Sequence, residues 1–246
     1  MSGAIRITVT RTAGSVPREA GTEMLVWPDR TSGTIGGGTL EWEAIAAARR
    51  MLAAGRADDT KTYPLGPALG QCCGGSVTLS YTRAETFTQP VQRPLWIYGA
   101  GHVGRAIVQV MAPLPQFAIT WVDTAADRFP STDVTTLVAT DPARAAAHAP
   151  DDADHLILTY SHEMDLALCH ALLSRPFGSI GLIGSATKWA RFRGRLARLG
   201  HSPAHIARIA CPIGDPALGK HPAEIAIGVG AAMIARTDRR TKDRTA

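Results

Sequence analysis

The sequence predicts an α/β protein: a C-terminal Rossmann-like domain with a parallel sheet, preceded by a smaller α+β domain. In the C-terminal part, short apolar runs rich in β-branched residues alternate with helical patterns, which is typical of a parallel sheet covered by helices. In the N-terminal part, strand-like runs instead surround one helical pattern. A polar segment with two prolines, TRAETFTQPVQRP (82–94), separates the two parts, as linkers do. We expect domains at 1–85 and 95–246, joined by a linker at 86–94.

The elements of the first domain follow from the spacing of apolar residues. The predicted strands are AIRITVTRT, TEMLVW, SGTIG, TKTYPL and SVTLSYT. The helix TLEWEAIAAARRMLAAG repeats apolar residues every three or four positions, and Gly55 is placed to cap its C-terminus.

The second domain alternates strand and helix. Its predicted strands are LWIYGAG, FAITWVD, TTLVAT, HLILTYS and SIGLIGS. Its predicted helices are HVGRAIVQVMA, HEMDLALCHALLS and ATKWARFRGRLARLG, with a final helix opened by Pro222. Repeated strand–helix–strand units of this kind indicate a parallel sheet.

Composition argues against several classes of function. With 246 residues, 45% hydrophobic and 19% charged, the chain is typical of a soluble globular protein, and its apolar runs are shorter than the roughly 20 residues of a membrane span. No basic segment followed by an apolar core is visible at the start, so we expect a cytoplasmic protein with no membrane partner. The segment ARTDRRTKDRTA supplies +3 of the formal charge of +5, and no zinc-finger, helix-turn-helix or RNP pattern is seen. We therefore expect no nucleic-acid partner.

A glycine-rich turn, YGAGHVG, follows the first strand of the second domain and opens a helix. In a dinucleotide-binding turn, Gly99 would allow the tight bend, Gly101 the approach of a pyrophosphate, and Gly104 close packing of helix on strand. Asp123 ends the next strand, where a carboxylate can bond a ribose 2′-hydroxyl and repel a 2′-phosphate, so NADH should bind better than NADPH. Alternatively, the turn serves packing alone.

Two adjacent cysteines, Cys72 and Cys73, lie in the segment GPALGQCCGGSV (66–77). Neighbouring Cα atoms are ~3.8 Å apart, which disfavours a disulfide between them. Cys169 and Cys211 are isolated in the sequence, which disfavours a structural zinc site. A thiol followed by glycine amides can be held as the thiolate, the form that binds soft metals. The alternative is that both thiols pack beneath a turn.

Two more segments of the first domain suit an anion. In SGTIGGGTLEWE, Gly36, Gly37 and Gly38 precede a helix and present consecutive backbone amides. In AGSVPREAG, Arg18 could clamp a phosphate. The alternatives are a strand-to-helix corner without a ligand and a surface salt bridge.

Polar residues also follow two strands of the second domain, at the sheet edge where open α/β sheets bind ligands. His162 and Asp165 lie three apart at a helix start that Ser161 can cap. Ser185 and Lys188 follow the next strand. We expect these residues to converge on one site beside the glycine turn.

Taken together, GSVPREAG, GTIGGGTLEWEA, LGPALGQCCGG, IYGAGHVG, LTYSHEMDLALC, GLIGSATKWARF and CPIGDPALGKHPAEIAIG resemble the XdhC/CoxI family of xanthine dehydrogenase accessory proteins. The resemblance covers almost the whole chain, in order. It implies a homodimeric chaperone that binds the molybdenum cofactor, in its molybdopterin form, while a cysteine desulfurase replaces an oxo ligand by sulfido. It further implies insertion of the cofactor into apo-xanthine dehydrogenase or a related molybdenum hydroxylase.

The resemblance also assigns residues. It makes Cys73 and Cys72 the candidate molybdenum contacts, with Cys73 ranked first because family members often carry a single cysteine in the form CGG. The family's usual histidine loop, THDHALD, differs here, since Tyr160 stands where the first histidine would be.

Two alternatives from other classes remain open. The glycine turn and Asp123 also fit an NAD(P)-dependent oxidoreductase with His162 or Lys188 as proton donor. A nucleotide or redox sensor with an oxidisable cysteine pair is the other.

Overall fold

A computed structural model of the protein describes residues 3–56, 58–66, 74–88 and 92–245, with side chains as far as residue 236. The chain divides into two compact units, Met1–Gln89 and Pro90–Ala246. Among the described residues, no helix is both long enough and apolar enough to cross a membrane.

Unit 1 is a five-stranded antiparallel sheet with one helix packed on it. In chain order its elements are β1 (Ile5–Ala13), β2 (Glu23–Val26), β3 (Thr31–Gly33), α1 (Gly38–Ala53), β4 (Asp59–Pro64) and β5 (Ser76–Arg83). The strands are arranged β3-β2-β1-β5-β4. Alternate residues of β5, namely Val77, Leu79 and Tyr81, are buried in one core with the apolar side of α1. This alternation is what the sequence pattern of a half-buried strand predicts.

Three connections of unit 1 lie at the same end of its sheet. Ser76 pairs with both Ala13 and Pro64, so the β1–β2 and β4–β5 connections leave the sheet together. Gly33, the last residue of β3, pairs with Met24 beside the start of β2, so the turn into α1 leaves at this end too. The segment that contains Arg18, the glycine turn and the two flanks of the cysteine pair therefore lie at one end of the strands.

Unit 2 contains a six-stranded, wholly parallel sheet, which confirms the predicted Rossmann-like α/β class. Its strands are β6 (Arg93–Tyr98), β7 (Phe117–Asp123), β8 (Thr135–Val138), β9 (Asp154–Ile157), β10 (Ser179–Leu182) and β11 (Ile209–Ala210). Their order is β11-β10-β9-β6-β7-β8, the doubly wound order in which the first and fourth strands, β6 and β9, are neighbours.

Helices cover both faces of this sheet. They are α2 (His102–Met111), α3 (Pro142–Ala145), α4 (His162–Leu173), α5 (Ala186–Arg198), α6 (Pro203–Ile206) and α7 (Pro222–Thr245). One apolar core joins helices α2 and α7 to one face of the sheet. A second core joins helices α3, α4, α5 and α6 to the other face. Because both faces are covered, all four residues of β9 are buried, including Asp154 and His155.

The structure adds elements that the sequence pattern does not predict. β11, α3 and α6 are too short to show a period. At the expected linker 86–94, Thr88 bonds Glu23 of unit 1 through its amide and hydroxyl, and Arg93 and Pro94 already belong to β6. Both ends of that segment are thus held by the units they adjoin.

We predict opposite stability effects for alanine at two helical glycines. A Cβ on Gly104 would lie 2.0 Å from the Gly99 carbonyl oxygen, whereas a Cβ on Gly194 in α5 would meet no atom within 4 Å. Gly104→Ala should lower the free energy of unfolding by about 3 kcal/mol, and Gly194→Ala should raise it by up to about 1 kcal/mol. Urea unfolding measures both, and equal effects would contradict the packing role of Gly104.

Candidate functional site

The crevice of unit 2 lies just beyond the ends of the neighbouring strands β6 and β9, where Gly99 meets Leu158. Gly99 follows β6 with φ +117°, a conformation that side chains rarely adopt. A Cβ there would lie 2.3 Å from the Leu158 carbonyl oxygen, just beyond β9. The crossover after β6 leads to β7 on one side, and the crossover after β9 leads to β10 on the other side. Sheets of this kind bind ligands at the point where the direction changes.

The three glycines of the turn have different surroundings. Gly104 packs α2 against the carbonyl of Gly99. Gly101 precedes the first residue of α2, and a Cβ there would meet nothing within 4 Å. The turn therefore leaves open space at Gly101, the glycine that the sequence pattern predicts to face a pyrophosphate.

An open groove of ≈ 300 Å³ lies beside this turn, lined by Ala100, Gly101, His102, Arg105, Asp127 and Arg128. Arg105 braces it: its Nε donates to the Ala100 carbonyl at 3.0 Å, and its Nη2 to the Arg128 carbonyl at 2.7 Å. These bonds tie α2 to the short 3₁₀ turn Ala126–Arg128 that follows β7.

Asp123, at the end of β7, is 3% exposed and already bonded within the protein. Its Oδ2 accepts from the Ala100 amide at 2.5 Å, its Oδ1 accepts from the Thr124 amide at 2.6 Å, and the Arg128 Nε lies 2.7 Å from Oδ1. Burial opposes ionisation, but these donors outweigh it and hold the pKa of Asp123 below its usual value. The assigned contact with a ribose stays a prediction.

Tyr160 and Arg128 meet across the crevice. The guanidinium carbon of Arg128 lies 4.6 Å from the centre of the Tyr160 ring, and Tyr160 is 65% exposed. Neither residue is a site prediction from the sequence. No local motif marks Arg128, because its contacts arise only when the 3₁₀ turn folds back beside β7.

Asp165 and Lys188 do come together as the sequence predicts. Lys188 Nζ donates to Asp165 Oδ2 at 2.6 Å and to the Ile183 carbonyl at 2.8 Å, while Thr159 Oγ1 donates to Asp165 Oδ1 at 2.7 Å. Both charged side chains are nearly buried, at 1% and 11% exposure. This network joins the ends of β9 and β10 to the helices that follow them.

The two other predicted polar residues take different positions. Ser185 caps α5 by accepting from the Lys188 amide, as Ser161 caps α4 by accepting from two amides of its first turn. His162 is exposed, with its ring edge-on to Phe192 at 6.4 Å between centres. His162 is thus not joined to the Asp165–Lys188 pair.

In unit 1 the glycine turn binds a carboxylate of the same chain. Glu41 Oε2 accepts from the Thr34 hydroxyl at 2.5 Å and from the Ile35 and Gly37 amides at 3.0 Å each. Burial opposes ionisation, but these donors lower the pKa of Glu41. An anion that used the Gly37 amide would have to compete with Glu41.

The turn also packs on the segment that carries Arg18. A Cβ on Gly36 would lie 2.7 Å from Cγ of Pro17 and 3.6 Å from Cγ of Arg18. Gly36, Gly37 and Gly38 all have positive φ, between +64° and +124°. Arg18 itself is exposed.

Cys72 and Cys73 lie outside the described residues, whose nearest members are Gly66 and Gly74. The flanks are held together, since the Gly74 amide donates to the Leu65 carbonyl at 2.9 Å and the Leu65 amide to the Gly75 carbonyl at 2.7 Å. Gly74 also forms a bridge with Ser15, three residues before Arg18. Within the described part of the chain, no three His, Cys, Asp or Glu side chains are grouped so that they could hold a metal ion.

Profiles of known families match residues in both units. A sequence profile described as the XdhC Rossmann domain matches residues 95–233, and one described as the XdhC and CoxI family matches residues 2–64. The chain belongs to the XdhC and CoxI family.

Individual relatives agree with membership of the XdhC and CoxI family. The chain is 31% identical over 231 residues to the Escherichia coli (strain K12) protein YqeB, a match that covers 90% of this chain and 41% of YqeB. It therefore spans about two fifths of that curated relative. A Bacillus halodurans crystal structure described as a xanthine dehydrogenase superposes with a TM-score of 0.81 at 20% identity, covering 97% of this chain and 92% of the other. That likeness shows a shared fold.

In this XdhC/CoxI family member, we predict that Glu41 stabilises unit 1 only where it is ionised. A carboxyl with a lowered folded pKa contributes stability above its unfolded pKa and loses it as the pH falls through the folded pKa. Glu41→Gln should lower the free energy of unfolding by about 1 to 2 kcal/mol at pH 7, and by less near pH 3. Urea unfolding at both pH values tests this, with Glu43→Gln on the same helix as control. An equal loss at both values would contradict it.

We also predict that breaking the Asp165–Lys188 pair is costly. Lys188→Met removes the cation and leaves the buried Asp165 charge unpaired, so the free energy of unfolding should fall by about 3 kcal/mol at pH 7. The double variant Lys188→Met, Asp165→Asn should lose less than the two single variants added together. Lys220→Met, at an exposed lysine, is the control. Additive losses would show that the two side chains act independently.

Proposed function

We propose that this protein binds the molybdenum cofactor and acts in the maturation of xanthine dehydrogenase or a related molybdenum hydroxylase. Family membership suggests the role in maturation. The observation that carries the cofactor assignment is the placement of the Arg18 segment, the glycine turn and the flanks of the cysteine pair at one end of the unit 1 sheet.

The packing of unit 1 supports this assignment. Gly36 rests on Pro17 beside Arg18, and Gly74 bridges to Ser15 in the same segment. Two segments remote in sequence thus meet on the one that carries Arg18. Such a cluster offers a cation for the phosphate of a pterin cofactor, and the two flanks of the thiol-bearing segment lie at the same end.

Each group has a separate task in this proposal. A thiolate of Cys73, or of Cys72, is the soft ligand for molybdenum, and Arg18 binds the phosphate. Glu41 shapes the glycine turn, so the turn serves mainly to position Arg18. The bound molybdenum is then the centre at which a cysteine desulfurase delivers sulfur. A homodimer that hands the cofactor to the apo-hydroxylase completes the proposal.

A second candidate function is nucleotide binding by unit 2. It is favoured by the doubly wound strand order, the open space at Gly101 and the groove beside it. Catalysis of hydride transfer is less well supported, because Lys188, one of its two candidate proton donors, is bonded to Asp165 and to the Ile183 carbonyl. We therefore favour a bound nucleotide that signals or stabilises over an oxidoreductase.

The decisive experiment is to purify the protein from cells that make the cofactor and to measure the pterin released as its fluorescent oxidised form. We predict that Cys73→Ala retains less than about a tenth of the wild-type pterin, because loss of a metal–thiolate bond weakens binding well beyond one tenfold step. Cys72→Ala should share the defect in part.

Cys211→Ala is the matched control, since it removes a half-buried free thiol from unit 2 and should leave pterin content unchanged. Melting temperatures of all variants separate loss of a ligand from loss of the fold. Wild-type pterin content in the double variant Cys72→Ala, Cys73→Ala would rule out the thiol ligand, and absence of pterin from the wild-type protein would count against the cofactor assignment as a whole.

A further inference from the structure

The Asp123–Arg128 pair gives the crevice of unit 2 a property that a carboxylate alone would not have. Asp123 Oδ1 is surrounded by the amide and hydroxyl of Thr124 and by Arg128 Nε, and Oδ2 accepts from the Ala100 amide. A carboxylate offers about four acceptor positions. Little capacity is left for the hydroxyls of a ribose.

Arg128 has the opposite character, because it keeps unused donors. Its Nε faces Asp123 and its guanidinium lies over Tyr160, yet within the described part of the chain neither Nη nitrogen has a hydrogen-bond acceptor. The side chain is 35% exposed and lines the ≈ 300 Å³ groove beside the glycine turn. Two Nη nitrogens with unused N–H groups, held in a fixed fork, suit the oxygens of a phosphate monoester.

The charges around the groove agree with an anion at this position. Arg128 is paired with Asp123, and the groove lining itself contains two arginines, Arg105 and Arg128, and one carboxylate, Asp127. Arg105 is held in place by two backbone carbonyls, and Arg128 by its ion pair. A phosphate in this groove would therefore meet two positioned guanidinium groups and one carboxylate, Asp127.

We propose that Arg128 selects a 2′-phosphorylated adenine dinucleotide, so that unit 2 binds NADP⁺ more tightly than NAD⁺. This inference rests on the second candidate function, nucleotide binding, and specifies its ligand. This preference is the reverse of the one that Asp123 predicts from sequence alone, where the form without the 2′-phosphate binds better. The reason is that the carboxylate is buried and paired, and the groove presents the guanidinium in its place.

The test measures dissociation constants of NADP⁺ and NAD⁺ for the full-length protein by isothermal titration calorimetry. We expect NADP⁺ to bind at least about 10-fold more tightly, and Arg128→Gln to weaken NADP⁺ about 10- to 100-fold while changing NAD⁺ less than about 3-fold, as loss of a charge-assisted contact predicts. Arg128→Lys keeps the charge but not the forked guanidinium, so its dissociation constant for NADP⁺ should lie between those of the wild type and Arg128→Gln. Arg193→Gln, at an exposed arginine of α5, should change neither constant.

Competition identifies which phosphate is bound. Bound NADP⁺ should be displaced by 2′-AMP at a lower concentration than by 5′-AMP, whereas a site for any phosphate, including that of a pterin cofactor, would not distinguish them. Because Arg128→Gln unpairs Asp123, its melting temperature is measured alongside, and Arg128→Lys carries the test if the glutamine variant unfolds. NAD⁺ binding as tight as NADP⁺ would overturn this inference and leave nucleotide binding standing. If neither NADP⁺ nor NAD⁺ binds, the NADP⁺ preference and the nucleotide-binding function are both overturned. The pterin assay decides the chaperone proposal separately.

Discussion

The close approach of two backbone segments at Gly99 is the constraint on which unit 2 depends. Gly99 passes the carbonyl of Leu158 with no space for a side chain, and Gly104 packs against the carbonyl of Gly99 in turn. These contacts bring the end of β6, the start of α2 and the end of β9 to one point. The crevice and the groove beside it lie at this point, next to Asp123 at the end of β7.

Buried charges then organise the carboxyl edge of the parallel sheet. Asp123 ends β7 and Asp165 lies in the first turn of α4. Each is paired with a cation, Asp123 with Arg128 and Asp165 with Lys188. A similar pairing holds the amino edge, where Asp154 contacts Arg93 and Ser179. Since an unpaired buried charge is far more costly than a paired one, these contacts restrict the loops to few arrangements.

Unit 1 reaches a similar result with an antiparallel sheet. In the antiparallel sheet, β1, β3 and β4 all end on the same side. The β1–β2, β3–α1 and β4–β5 connections therefore begin at one end of the sheet. Glu41 supplies the local order there by binding the amides of the turn before its own helix. Each unit thus carries one candidate site, built from loops on a rigid sheet, as binding sites commonly are.

The sequence by itself determined the class of the fold, the order of its main elements and the local devices at their ends. The glycines of both turns, the Ser161 cap and the Pro222 helix start are readable because each depends on residues a few positions apart. The tertiary structure alone decided what each polar group contacts. Lys188 and Asp165 are 23 positions apart in the sequence, and Ser15 and Gly74 are 59 apart, so these pairs meet only through the folded sheets. Arg128 is only five positions from Asp123, and it reaches the carboxylate because the 3₁₀ turn between them folds back beside β7. Asp123, which the sequence predicts as a ribose ligand, is also buried and paired with Arg128, because a charged side chain taken out of water needs a partner close to it in space.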